Sequence, residues 1–290
     1  MLRDSRLRGF EIEGEIDRLI TTLFADDTTV WLAEEDNFRD LEDILKTWCQ
    51  TSGAKFNVAK TVILPVGSAL YRQDVIRNRK INDQDAQLPP EISVATDGTP
   101  VRILGAYVGN NLNQVAIWTP TVDKITHKFN KWSRNHPTPE GRRLIVGMVA
   151  GGLTQYLTRV QGMHADIEDI IRRKINKFMW DGGTAMINAD LMSLDHKKGG
   201  RRVLNIKARN ESIYLMKLQR YLTTTNRPKW AKVADRLIAL NVPKSRDQVD
   251  PIIRKNIFLQ NWTPRERGTP ALPKSIREML TTAKKHKVSI

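Results

Sequence analysis

Residues 19–32 read Leu-Ile-Thr-Thr-Leu-Phe-Ala-Asp-Asp-Thr-Thr-Val-Trp-Leu, β-branched and apolar on both sides of the Asp26-Asp27 pair. Runs of this composition favour extended backbone. The stretch predicts two strands joined at Asp26-Asp27, a β-hairpin. The turn lacks Asn-Gly or Asp-Gly, so turn chemistry alone does not fix its geometry. Neighbours on a regular strand point to opposite faces, whereas at a turn two carboxylates can approach each other. At close range they repel unless a cation or proton intervenes, and hard oxygen ligands suit Mg²⁺. In two-metal phosphoryl transfer, ions roughly 3.5–4 Å apart clamp the attacking and leaving oxygens. The competing reading is a plain turn, because Asp tolerates turn geometry well.

Downstream, Phe38, Leu41, Ile44, Leu45 and Trp48 recur at helical spacing, predicting a helix over 37–51 with Asp36 as N-cap and Gly53 as stop. Val62 to Leu64 reads as a strand. Residues 67–100 are polar, with Pro89-Pro90 and Asp97-Gly98 marking loops. Residues 101–110, Val-Arg-Ile-Leu-Gly-Ala-Tyr-Val-Gly-Asn, read as one strand. From about 120 the period turns helical. One stripe is Val122, Ile125, Phe129 and Trp132, and a second begins at Leu144, Ile145, Met148 and Val149. A third is Ile167, Ile170, Ile171, Ile175, Phe178 and Met179, with Asp166 as N-cap. Further helices are expected over 207–222, 229–239 and 251–260. The tail from Arg265 carries seven Lys/Arg against two Glu, contains prolines and shows little apolar period, so loose order is expected there. The pattern is α+β, a small mixed part followed by a larger helical part.

Lys and Arg number 47 against 32 Asp and Glu, a net charge of +15 over 290 residues. A surplus of that size points to a polyanion, nucleic acid above all. The apolar fraction of 40% excludes wholesale disorder. The one cysteine, Cys49, excludes a disulfide within the chain and any Cys-rich zinc site, and the five histidines show no ligand spacing. The longest apolar run, Leu144 to Leu153, is too short to span a bilayer, so no membrane partner is expected. The N-terminus has no apolar signal segment. The expected location is intracellular, nucleus or cytoplasm; Lys284-Lys285-His286-Lys287 is a weak import-like cluster.

Several blocks in order carry a family resemblance. Phe24-Ala25-Asp26-Asp27 resembles motif C of reverse transcriptases, in the form found in non-LTR (LINE-type) retrotransposons. After one helix, Ser52 to Thr61 resembles the following motif D, and Leu104-Gly105 lies in what resembles the next block. Lys131-Trp132, Gly141-Arg142-Arg143, Thr154-Gln155-Tyr156-Leu157, Phe178-Met179-Trp180-Asp181, Gly199-Gly200 and Arg209-Asn210-Glu211-Ser212 continue in the family's order. The resemblance covers roughly residues 5–225 and is nearest to the variety found in fungal elements.

The resemblance implies an incomplete reverse-transcriptase palm followed by a helical, thumb-like domain. It divides the chain into a partial palm (1–66), a connecting loop with a primer-grip-like strand (67–115), a thumb-like domain (116–225) and a basic C-terminal segment (226–290). Asp26 would be a catalytic carboxylate and ligand to Mg²⁺, with Asp27 its less essential neighbour. Lys60 would lie near the phosphates of an incoming dNTP; it is equally a solvated lysine after a helix. Leu104 and Gly105 would form the primer-grip region, although Gly105 also simply admits close backbone packing. Arg142, Arg143, Arg172, Arg173 and Lys174 would track the backbone of RNA or an RNA–DNA hybrid template-primer, or form an ordinary solvated face. Trp132 and Trp180, on helical stripes, are expected in the core.

The family's palm also needs an earlier aspartate and a pocket segment, and the fingers lie further upstream. Asp4, Glu11, Glu13, Glu15 and Asp17 sit in no matching context. One hairpin supplies at most one side of a two-metal clamp, so Mg²⁺ would be held weakly. The expectation is a fragment of an RNA-directed DNA polymerase that does not polymerise alone. The alternative is a non-catalytic module that holds nucleic acid.

Overall fold

A computed structural model describes residues 1–11, 18–242 and 272–288. The chain forms two compact units, Met1–Asn113 and Gln114–Ile290. The expected segments 1–66 and 67–115, save the last two residues, lie in the first unit, and those over 116–225 and 226–290 in the second.

In the first unit, β1 (Thr21–Phe24) and β2 (Asp27–Val30) pair antiparallel, with Thr21 opposite Val30 and Phe24 opposite Asp27. The register shifts the turn by one residue from the expected place. Ala25-Asp26 forms it, Ala25 has a φ of 52°, and Asp27 belongs to β2. Helix α1 (Phe38–Ser52) ends at Gly53 as expected, in the left-handed conformation with its N–H donating to Cys49 O. Its N-cap is Asn37, not Asp36, and the Asp85 carboxylate accepts from the Phe38 N–H at 2.9 Å. Asp36 is instead buried and accepts backbone N–H bonds from Arg8, Gly9 and Ala33 at 2.6, 2.9 and 2.8 Å. One carboxylate thus ties the N-terminal segment to the entry of α1, which the sequence distance of 28 residues concealed.

Residues 67–100 are not all loop. Helix α2 (Ala69–Asn78) starts at Ser68, whose side chain accepts from the Tyr71 N–H. Its one buried residue is Val75, so it shows no apolar stripe to read. Strands β3 (Val62–Ile63) and β4 (Ser93–Val94) pair in parallel. The expected single strand over 101–110 is a hairpin of β5 (Val101–Ile103) and β6 (Ala106–Val108). Leu104 and Gly105 are its two-residue turn, both at positive φ, 49° and 82°. Such a turn matches the right-handed twist of its strands, and positive φ at both central positions is what the commonest tight hairpin demands. Leu7, Ile20, Phe38, Leu41, Leu88 and Ile92 are central to the core of this unit.

The second unit is helical. Helix α3 (Thr119–Ser133) buries Ile125 and Phe129, whereas Trp132 stays 38% exposed. Helix α4 (Pro139–Val146) runs through a π-helical turn (Gly147–Gly151) into α5 (Gly152–Gln161). Helix α6 (Ala165–Met179) is capped by His164, not Asp166: the imidazole accepts from the Asp166 N–H. Phe178 of α6 stacks on Phe129 of α3, centroids 4.4 Å apart. Helix α7 is Ala189–Ser193, α8 Ile206–Leu222 and α9 Lys229–Asn241. The expected helix over 251–260 lies outside the described residues.

The basic tail is ordered where it is described. Helix α10 (Lys274–Lys285) buries Ile276, Met279, Leu280 and Ala283, spaced as one helical stripe, against Leu218 of α8 and Ile238 of α9. The interspersed lysines masked that period in the sequence; Lys285 reaches Glu211 of α8 instead.

The α4–π–α5 rod explains why its apolar pattern looked irregular. An α-helix advances about 100° per residue, and a π turn accommodates one residue more. Ile145, Val149 and Ala150 before the turn are buried, as are Thr154, Leu157 and Thr158 after it. On an uninterrupted α-helix, Thr158 would point roughly 150° away from the first group and Tyr156 would point into the core. The extra residue realigns both. Leu144, Met148, Tyr156 and Val160 then form one outward row, with Gly152 between them. The expected stripe beginning at Leu144 and Met148 therefore divides: Ile145 and Val149 face in, and Leu144 and Met148 face out.

Candidate functional site

The Asp26-Asp27 carboxylates stand at an exposed hairpin tip. Leu23 and Phe24, which alternate on β1, are each 66% exposed, so neither face of the tip is covered among the described residues. Among the described residues, strand β1 pairs only with β2 in its sheet. No group of three or more His, Cys, Asp or Glu that could hold a metal occurs among the described residues. The pair by itself falls short of a Mg²⁺ site, which asks for a near-octahedral oxygen set. Lys60 ends a 3-10 turn, Val58–Lys60; its N–H donates to Asn57 O at 3.0 Å and Asn57 Oδ1 at 3.2 Å, and its side chain is exposed. The Leu104-Gly105 turn belongs to a separate two-stranded sheet from the Asp26 hairpin.

In the second unit, the five expected cations divide. Arg142 is in the interior, with 5% of its surface exposed. Its guanidinium donates to Phe178 O at 2.6 Å and Pro137 O at 3.1 Å, pairs with Asp181 at 2.8 Å, and lies 5.2 Å over the Phe178 ring. It clasps the start of α4 to the end of α6 and has no face left for a phosphate. Arg143 reaches Glu140 at 2.8 Å through Nε. Arg172 and Arg173 are exposed on α6, and Lys174 is half-buried there; Arg172 pairs with Asp169 at 2.9 Å.

Two groups receive no role from the sequence. The first is Arg209 on α8, which the sequence shows only as part of a block of the family resemblance. Its guanidinium donates to Thr154 Oγ1 at 2.6 Å and to Gly151 O at 3.2 Å, the last residue of the π turn. Thr154 Oγ1 donates in turn to Ala150 O at 2.5 Å. A π turn displaces carbonyls from the ordinary ladder, and here a side chain from another helix takes one of them. Burial lowers the pKa of Arg209. Beside it, Asn210 donates to the Glu168 carboxylate at 2.6 Å, and burial raises the Glu168 pKa. The second group is the basic turn His196–Arg202, of which the family resemblance marks only Gly199-Gly200; its density of Lys and Arg is the signal in the sequence.

A cavity of about 40 Å³ lies between α6 and the segment 189–206, lined by Arg172, Ile175, Trp180, Met192, Val203 and Ile206 among others. Trp180 is partly buried rather than fully in the core, and its indole N–H has no hydrogen-bond partner among the described residues. None of the described helices is long and apolar enough to cross a membrane.

No protein-family profile matches the chain. The chain is similar to the "Transposon TX1 uncharacterized 149 kDa protein" of Xenopus laevis, at 21% identity over 260 residues. That match takes in 88% of this chain and spans 19% of that protein's length.

Proposed function

We infer that this chain is a transposon-derived polypeptide and the part of a reverse transcriptase that carries the motif C hairpin and a thumb-like helical unit. The observation that carries the reading is the 260-residue similarity to a transposon-encoded protein, which extends across most of the ordered blocks. The net charge of +15 supports a nucleic-acid partner. On this reading the second unit holds an RNA or RNA–DNA template-primer through cations at its surface, the exposed Arg172 and Arg173 and the half-buried Arg143 and Lys174 among them. The first unit contributes Asp26 and Asp27 to phosphoryl transfer, Lys60 to dNTP phosphates and the Leu104-Gly105 turn to the primer. Mg²⁺ at Asp26 needs further ligands from outside the described residues.

The chain on its own is expected to bind and not to polymerise. Positioning of the incoming nucleotide is a large share of such catalysis, and an exposed hairpin tip provides none. The test is RNA-templated primer extension with Mg²⁺, beside binding to an RNA–DNA duplex across a salt series. Binding that weakens steeply with salt, without extension, is the expected result. Extension that is lost in Asp26→Asn overturns the non-catalytic part of the reading. Duplex binding indifferent to ionic strength, or none, overturns the nucleic-acid part.

A further inference from the structure

The turn His196–Arg202 reads His-Lys-Lys-Gly-Gly-Arg-Arg. Its backbone is built rather than slack. Gly200 is buried, and a Cβ there would sit 2.1 Å from the Leu194 carbonyl oxygen, so no side chain fits. The Asp195 carbonyl accepts from the Lys198 and Gly200 N–H groups at 2.8 and 3.0 Å. Arg201 and Val203 both donate their N–H to Met192 O. The Asp195 carboxylate accepts from the Lys197 N–H at 3.0 Å and from Arg202 Nε at 2.9 Å. The one acid of the turn is therefore consumed in holding it together, and it neutralises Arg202.

What remains points outward. His196, Lys197, Lys198 and Arg201 are all exposed. Neither Lys197 nor Lys198 has an ion-pair partner among the described residues. The Glu140 carboxyl is held below its usual range chiefly by its hydrogen bond to Arg143, with His196 and Arg201 adding electrostatic attraction from the turn. Glu140 is hydrogen-bonded to Arg143 and leaves Arg201 only long-range attraction. Arg143, Lys197, Lys198, Arg201 and Arg202 set five cations against the two carboxylates of Glu140 and Asp195. The turn also adjoins α6: Met192, which accepts from its backbone, lines the same cavity as Arg172.

A surplus of cations on a rigid turn suits repeated phosphates, since lysines contribute point charge and the fixed backbone reduces the ordering cost of binding. We propose that the His196–Arg202 turn is a sugar–phosphate contact, in which Lys197, Lys198 and Arg201 with Arg143 grip one strand of the nucleic acid held by the second unit. This rests on the reading of that unit as a nucleic-acid holder. The contact reads charge and not base identity.

The test compares wild type with Lys197→Ala/Lys198→Ala/Arg201→Ala in the full chain, by fluorescence anisotropy with a labelled RNA–DNA duplex across a salt series. The expected result is at least a tenfold weaker affinity near 0.1 M salt, and a log-affinity against log-salt slope shallower by about two to three, since each phosphate contact contributes about 0.9 on B-DNA. A control, Arg39→Ala/Lys46→Ala/Lys55→Ala in the first unit, removes the same charge and should change binding far less. The exchange Lys197→Arg/Lys198→Arg/Arg201→Lys should retain wild-type affinity. Equal losses in the two alanine triples overturn the proposal, as does an unchanged affinity and slope in the 197/198/201 triple. If that triple keeps duplex binding but loses binding to phosphatidylserine vesicles, the turn is a membrane contact and the proposal fails. If wild type binds no nucleic acid, the underlying reading falls with it.

Discussion

The Arg209 guanidinium donates to Thr154 Oγ1 at 2.6 Å across 55 residues of chain, and with the same group holds the Gly151 carbonyl of the π turn. Two of the blocks that carry the family resemblance, one beginning at Thr154 and one at Arg209, thereby meet in space. Their joint product is the phase of a helix. Arg209 bonds at the end of the wide turn, and the wide turn sets Thr154, Leu157 and Thr158 inside and Tyr156 and Val160 outside.

Arg209→Ala should leave the half-buried Gly151 carbonyl with only the long 3.4 Å side-chain bond from Thr154 Oγ1 and cost about 1 kcal/mol, the range for a typical lost hydrogen bond. Urea unfolding measures the loss. Hydrogen exchange should accelerate over 147–158 first, ahead of α6. An exchange pattern unchanged in that stretch would mean that the π turn holds without Arg209.

Gly200→Ala and Gly152→Ala should differ in sign. A Cβ at Gly200 meets a backbone oxygen at 2.1 Å, so the crossing must open, at a cost of about 1–3 kcal/mol. A Cβ at Gly152 meets nothing within 4 Å, and glycine inside a helix is worth roughly 0.5–1 kcal/mol less than alanine. Thermal melts of the two variants give the comparison directly.

Asp36→Ala should remove the acceptor for three backbone N–H groups and destabilise the first unit by on the order of 3 kcal/mol. Chemical shifts of Arg8, Gly9 and Ala33 would report the loss. A variant as stable as wild type would show that water replaces the carboxylate without penalty.

The second unit should grow more stable between about pH 8 and roughly pH 10.4. Lys217 donates to Ser275 Oγ at 2.7 Å and lies 5.2 Å over Trp230, and burial, with Arg159 adding, pulls its pKa down to about 8. Below that value the group is protonated in both states and its burial is a penalty. Above it the folded state has released the proton while the unfolded chain still binds it, so unfolding becomes harder as pH rises, by up to about 3 kcal/mol. Burial pushes the hydroxyls of Tyr214 and Tyr221 upward, so they oppose this gain only above about pH 10, where tyrosines of the unfolded chain ionise and the folded ones do not. Lys217→Met should be more stable at pH 7 and flatter over the window, measured by denaturant unfolding at pH 7, 8 and 9.5.

Local order by itself determined much of this protein. The β-branched run around Asp26-Asp27 required a hairpin, Gly53 required a helix stop, and the stripes at Ile125–Phe129 and Ile167–Phe178 required amphipathic helices, because each depends on residues within a few positions of one another. The charge surplus and the order of the blocks were likewise legible without coordinates. Tertiary structure decided the rest. Arg142 looked like a surface cation and became a buried clasp, because Phe178 O and Asp181 lie nearly forty positions away. Leu144 and Met148 looked like core and face outward, because a single added residue rotates a helix by about 100° and no local spacing announces it. The tail's lysines hid a stripe that only α8 and α9, packed against it, reveal. Periodicity reports which residues share a face of a regular element; which donor meets which carbonyl, and where an element departs from regularity, is set by contacts between residues far apart in the chain.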